Sequence, residues 1–218
     1  MLEVVNLACV RGDRRLFSGM NFSVSPGTFL QITGPNGSGK TSLLRMICGL
    51  LAPEEGEIRW SGANIRALGD EYFSDITYIG HRNGVKEELT SLENLRISSA
   101  LAGHQITLED GRRILGEMGL GGRENLAVRF LSEGQRRRSA LARLLSSRAK
   151  LWLLDEVLTS LDAAAVVVMK RLLEAHLNQD GIVLAATHQD LSLSAGKFER
   201  LEISPVAPGG GAPLGPPS

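Results

Sequence analysis

Apolar positions in the first third of the chain fall in short runs bounded by turn residues, not at helical spacing. Leu2 to Ala8, Phe22 to Val24 and Thr28 to Thr33 read as strands, separated by turn signals at Arg11-Gly12-Asp13 and Ser25-Pro26-Gly27. The third run empties into a Gly-rich stretch, and helical periodicity starts directly behind it, predicting a helix from Thr41 to Leu51. Glu57–Trp60 and Ile76–Ile79 predict further strands. From about Lys86 to Ser147 the pattern turns helical, with helices expected over Thr90–Leu101, Thr107–Met118 and Ser132–Ser147. Each opens on a Ser or Thr that can accept from the free amides of the first turn, and Glu follows closely in the first two. Strands resume at Leu151–Leu154 and Ile182–Thr187, around a helix at Ala163–Leu177. Parallel β/α pieces on both sides of a helical stretch predict an α/β core carrying an inserted α-helical subdomain. The expected boundaries are one domain over 1–204, with its core at 1–85 and 148–204 and the helical subdomain at about 86–147. The Pro- and Gly-rich end, 205–218, buries too little apolar surface to fold and is expected to be disordered.

Composition narrows the class. Lys plus Arg number 24 and Asp plus Glu 24, so no net field draws in nucleic acid. Arg136-Arg137-Arg138 with Arg143 make one local basic run, expected to be a solvated helix face. Cys9 and Cys48 form no CxxC pair and read as reduced, partly buried thiols. The start shows no signal-peptide pattern, and no run approaches the ~18 apolar residues of a membrane span. Service at a membrane would therefore come from the cytoplasmic side, through a partner.

The chemistry is concentrated in three places. Gly34-Pro35-Asn36-Gly37-Ser38-Gly39-Lys40-Thr41 matches the phosphate-loop pattern GxxxxGK[ST], and Ser42 follows. Its glycines let successive amides turn inward around phosphates, the following helix adds its positive end, Lys40 brings a full charge and the Thr41 hydroxyl can ligate Mg²⁺. That motif predicts a P-loop NTPase core. Leu151–Leu154 then delivers Asp155-Glu156 to the end of a buried strand, where Asp155 can sit beside Mg²⁺ and Glu156 can polarise water as a general base. Between these lies Leu131-Ser132-Glu133-Gly134-Gln135 at the head of a helix. Ser132 can cap the helix, and Gly134 lets an anion come close.

That last segment resembles the LSGGQ-type signature of ABC ATPases, with Glu133 in the variable third place. The resemblance extends over about Leu2 to Ile203. It implies a RecA-like, mainly parallel core with an N-terminal antiparallel β part, and a head-to-tail dimer with a second copy. In that dimer each ATP lies between one phosphate loop and the partner's Ser132, Gly134 and Gln135. Ser160-Leu161-Asp162 resembles the loop at the dimer interface, so Asp162 joins the nucleotide-binding set, and Thr187-His188 resembles the switch histidine at the γ-phosphate.

Three positions depart from the common pattern. Arg11 stands where an aromatic usually stacks on adenine, and its planar guanidinium can do the same. His81 takes the place of a Gln that reaches Mg²⁺ and the attacking water. Val157 replaces the Pro after Asp-Glu. With Arg14–Gly19, Ile79-Gly80-His81, Gly181–Val183 and Thr187-His188-Gln189, these resemble the ATP-binding subunits of the haem exporter of bacterial cytochrome c maturation (the CcmA type). The implied partners are integral membrane subunits, CcmB-like with a CcmC-like one as a further candidate, and the implied location is the cytoplasmic face of the inner membrane. No haem contact is expected: His81, His104, His176 and His188 show no axial-ligand motif, and surface or nucleotide roles suit them better. The alternatives are an ATPase for a drug, lipid or lipoprotein exporter, a soluble ABC ATPase remodelling ribosomes or nucleic acid, and a phosphate-loop kinase, which would leave Ser132–Gln135 and His188 unexplained.

Overall fold

β1 (Leu2–Arg11) and β2 (Arg14–Val24) form a long hairpin through Gly12-Asp13, with Arg11 opposite Arg14. The sequence suggested a much shorter second strand. Its alternation is hidden because β1 is bulged, with register shifts after Val4, Leu7 and Cys9 and positive φ at Asn6 and Gly19. The Asn21 amide repairs the interrupted ladder, accepting from Asn6 N at 2.8 Å and donating to Gly19 O at 2.8 Å. The structure, a computed structural model, describes residues 1–80, 83–158, 161–189 and 191–204.

β3 (Thr28–Thr33) leads into α1 (Lys40–Ile47). This helix ends earlier than its apolar pattern suggests. Gly49 takes φ 76° and the Leu50 amide returns to Arg45 O at 2.8 Å, a left-handed C-terminal cap. β4 (Glu55–Trp60) and the short β5 (Ala63–Asn64), α2 (Ile65–Leu68) and α3 (Asp70–Ser74) follow, and then β6 (Ile76–Ile79). β5, α2 and α3 are too short to leave a periodicity.

α4 (Ser91–Leu101), α5 (Leu108–Glu117) and α6 (Glu133–Ser146) pack on one another. Thr90 caps α4 in a full capping box with Glu93. In α5 the acid that answers Thr107 is Asp110 and not Glu109. β7 (Leu151–Asp155), α7 (Ala163–Leu177), β8 (Ile182–Ala186) and β9 (Lys197–Glu202) complete the described chain. β9 has no apolar run of its own, because it is an edge strand whose residues stay largely in solvent.

Two sheets result. One is antiparallel, in the order β2-β1-β4-β5, and the other parallel, in the order β6-β7-β8-β3-β9. The central parallel strands β7, β8 and β3 are covered on both faces, and the two-residue period sorts their side chains into two cores. Leu151, Leu153, Ile182 and Leu184 join α1 and the antiparallel sheet. Trp152, Leu154, Val183 and Ala185 join α7 and the three helices of the insert. The strands therefore meet their connecting loops at one carboxyl edge, where ligands bind in such sheets.

Candidate nucleotide site

The turn from β3 into α1 is built from backbone conformations that side chains disfavour. Gly34, Gly37 and Gly39 have φ of 142°, 78° and 110°. At Gly39 a Cβ would stand 2.9 Å from the Phe17 ring and 3.3 Å from Leu16 Cβ, so β2 presses directly on the loop. Ser38 N closes the turn on Pro35 O at 3.1 Å, while the Ser38 hydroxyl is buried without a partner. Lys40 is buried, and its ammonium donates to Gly34 O at 2.7 Å and Pro35 O at 3.1 Å. The charge is thus held inside the ring of the loop.

Thr41 and Asp155 meet from opposite sides of the sheet edge. Thr41 Oγ1 donates to Asp155 Oδ1 at 2.9 Å, and Tyr78 Oη from β6 donates to Oδ2 at 3.2 Å. Burial and the adjacent Asp155 carboxylate both push the Tyr78 phenol above its ordinary pKa, so it stays a donor. Glu156 follows in the left-handed region at φ 57°, its amide tied to Ala186 O at 3.0 Å. A non-glycine residue held in this way turns its side chain out of the strand direction. The outcome is a cleft of about 260 Å³ lined by Asn36, Gly37, Gly39, Lys40, Thr41, Ser42, Glu156 and Leu16.

Residues 17–159 match the family model for ABC transporters. A cytochrome c biogenesis ATP-binding export protein, CcmA, of Nitrosospira multiformis is 53% identical over 203 residues, covering 93% of this chain and 98% of its own length. The protein of the same name from Nitrosomonas europaea is 54% identical over 204 residues, covering 94% and 96%. The chain belongs to the ABC transporter family, among its cytochrome c biogenesis ATP-binding export proteins. Solved structures carry the same fold. A putative ABC transporter ATP-binding protein from Pyrococcus furiosus aligns at TM-score 0.78 with 25% identity, over 92% of this chain and 96% of that one. An ATP-binding cassette in a dimeric post-hydrolysis state, bound to ADP and Pi, aligns at 0.77 with 24% identity, over 93% and 96%.

Not every expected site residue of this ABC ATPase reaches the cleft. Ser132, Gly134 and Gln135 sit at the head of α6, outside its lining. Ser132 Oγ accepts Gln135 N at 3.4 Å and Gln135 Oε1 accepts Ser132 N at 3.0 Å, a reciprocal cap the sequence reading had not assigned. Ser132 and Gly134 are exposed, and a Cβ at Gly134 would meet nothing within 4 Å. Asp162 caps α7 through Ala165 N at 2.8 Å and lies 3.9 Å from Arg138. His188 is exposed just past β8, also outside the lining. Arg11 is exposed near the hairpin turn, where its charge acts on the buried Cys9 thiol, itself in hydrogen-bond reach of Ser42. The residue of that hairpin that lines the cleft is Leu16. His81, Ser160 and the tail 205–218 lie outside the described residues.

Two expectations are corrected. The Arg136–Arg143 face is not simply solvated. Arg137 is 6% exposed and donates to backbone carbonyls on two other segments, while Arg143 Nη2 reaches Asn83 O at 3.3 Å. His176 is neither a surface nor a nucleotide residue. Its ring lies flat on Trp152 with centroids 3.7 Å apart, and desolvation lowers its pKa to about 4. His104 is half-buried and its Nε2 pairs with Ser146 O at 2.7 Å. Gln31 gave no signal in the sequence. From β3 it donates to Thr187 O and Gln189 O at 3.2 and 3.3 Å, and so anchors the loop that carries His188.

Proposed function

We propose that this chain is the ATP-hydrolysing subunit of an ABC exporter in cytochrome c biogenesis, driving the haem-export step that releases a haem-loaded chaperone. One observation carries the catalytic part: the phosphate loop and Glu156 line a single cleft, and buried Asp155 stands directly behind it, accepting from Thr41 Oγ1 at 2.9 Å. The named relatives at 53% and 54% identity carry the pathway.

In this reading the amides of Gly34–Ser42 ring the β- and γ-phosphates and Lys40 turns from the loop carbonyls to the bound anion. Thr41 Oγ1 and the Asp155 carboxylate are hard oxygen donors of the kind Mg²⁺ takes when phosphates and water complete its shell. When bound, Mg²⁺ neutralises charge on the transferring phosphoryl oxygens. Glu156 accepts a proton from the attacking water, and His188 and His81 contact the γ-phosphate side and the metal. Arg11 or Leu16 covers adenine.

The exposed, capped head of α6 completes the site of a second copy. There Ser132, Gly134 and Gln135 offer a helix N-terminus to the nucleotide across a head-to-tail dimer, with Asp162 at the seam. Opening and closing of that dimer drives integral membrane subunits, CcmB-like with a CcmC-like one as a further candidate. The insert at about 86–147 moves as the lever on the 1–85 and 148–204 core. No helix among the described residues is long and apolar enough to cross a membrane. In this reading the chain attaches peripherally, on the cytoplasmic face, through those partners.

The test is Glu156→Gln. Turnover should fall by about 10²–10⁴-fold while ATP still binds and the dimer accumulates on size-exclusion chromatography. Wild-type phosphate release from this variant removes Glu156 as the base. Co-purification with the membrane subunits tests the second half of the reading.

A further inference from the structure

Arg137 is the second residue beyond the Ser132–Gln135 segment, on the inner face of α6 with Ala140, Leu141 and Leu144. Its guanidinium is buried at the point where three segments converge. Nη2 donates to Glu156 O at 3.0 Å and Nε to Val157 O at 3.3 Å. Nη1 donates to Asn83 Oδ1 at 2.9 Å, with Gly80 O at 3.5 Å. Asn83 is itself held from the same helix: Glu133 Oε1 accepts its amide at 3.4 Å and Arg143 donates to its carbonyl at 3.3 Å. A planar fork with donors on three nitrogens suits this arrangement, in which carbonyls arrive from different elements.

The residue it grips needs gripping. Glu156 sits at φ 57°, a conformation that costs a side-chain-bearing residue free energy unless the surroundings enforce it. Its amide is fixed by β8 through Ala186 O, and its carbonyl by Arg137. Those two bonds hold the peptide units on both sides of the Glu156 Cα, from which the carboxylate reaches the cleft.

We propose that Arg137 is a positioning residue for Glu156. It fixes the left-handed turn that directs the carboxylate and joins that turn, through Asn83 and Gly80, to the segment leaving β6 and to the head of α6. A helix is stiff, so displacement of its Ser132 end moves Arg137 with it. The contact of α6 with a second copy's nucleotide is thereby felt at this chain's own Glu156. The proposal rests on Glu156 acting on the attacking water.

The experiment compares full-length wild type, Arg137→Gln, Arg137→Lys, Glu156→Gln and the Arg137→Gln/Glu156→Gln double variant. Phosphate release gives kcat and KM, a fluorescent ATP analogue gives affinity, and thermal melts report the fold. Arg137→Gln should lower kcat at least about tenfold, leave analogue affinity within about threefold, and cost less than about twofold once Glu156 is already Gln. Arg137→Lys should not restore kcat, because one ammonium cannot span the three segments. A kcat within about twofold of wild type, a loss confined to KM and melting temperature, an undiminished loss in the Glu156→Gln background, or full rescue by Lys overturns the proposal. Should Arg137→Gln fail to fold, Asn83→Ala removes the second arm, and an unchanged kcat there overturns it equally. Wild-type turnover in Glu156→Gln alone defeats the base assignment instead, and is read separately from the Arg137 variants.

Discussion

Replacing Gly34 by alanine puts a methyl group where the fold has no room for one. A Cβ there would lie 2.5 Å from Ile203 O and 2.8 Å from Ser38 Oγ, and the residue would keep φ 142°, outside the comfortable range of an L-amino acid. Ser38 Oγ can rotate away. Ile203 O cannot, because Ile203 N is bonded to Thr33 O at 2.9 Å and its side chain is buried against the sheet. The neighbouring Gly37 is the natural control. It also has a positive φ, 78°, but a Cβ there meets nothing within 4 Å. Gly37→Ala should therefore cost about 1–2 kcal/mol, the price of the left-handed backbone alone. Gly34→Ala adds an overlap of about 1–3 kcal/mol to a similar strain, for a total of about 2–5 kcal/mol. For a chain of this size each kcal/mol moves the melting temperature by about 2–4 °C, so the overlap alone should separate the two variants by roughly 2–12 °C. Differential scanning calorimetry measures this directly. Equal shifts for Gly34→Ala and Gly37→Ala would show that the clash with Ile203 does not limit the loop.

Gly134→Ala should leave the melting temperature within about 2 °C, since the position is exposed, open and helical, yet lower steady-state turnover by at least about tenfold if a nucleotide must approach the head of α6; unchanged turnover would remove the need for close approach. His176 gives a pH prediction. Its folded pKa, about 4, lies below the ordinary imidazole value because the neutral ring is buried on Trp152. The unfolded chain therefore binds the extra proton first. Stability is full above about pH 6.5 and falls as the pH drops toward 4, by about 3 kcal/mol in all. Urea titrations across that window should show the decline, and His176→Phe should flatten it; parallel slopes would refute the assignment.

Much of the site was legible in the chain itself because its chemistry is local. A phosphate loop needs glycines and Lys40 in an unbroken run, so Gly34–Thr41 announced itself, as did Asp155-Glu156 behind four apolar residues; of Ser132–Gln135 the chain showed that it heads a helix, and its part in a nucleotide site is a proposal. Long-range residues were silent. Leu16, Gln31, Tyr78 and Arg137 have no motif of their own, and each acts on a segment far away in sequence. Arg137 was misread for a definite reason: a run of three arginines looks solvated until a turn from β7 and a loop from β6 are folded against one of them.

The sequence alone determined the parallel core, the helical insert, the phosphate loop and the acid pair, because period, turn chemistry and local motifs depend on neighbours within a few residues. Only the tertiary structure decided that β2 is a full-length strand, that Lys197–Glu202 closes the sheet edge, that Leu16 lines the cleft, and that Glu156 sits in a left-handed turn. Those outcomes depend on which distant carbonyls and side chains meet at the carboxyl edge of the sheet, and that meeting is a property of the packed chain.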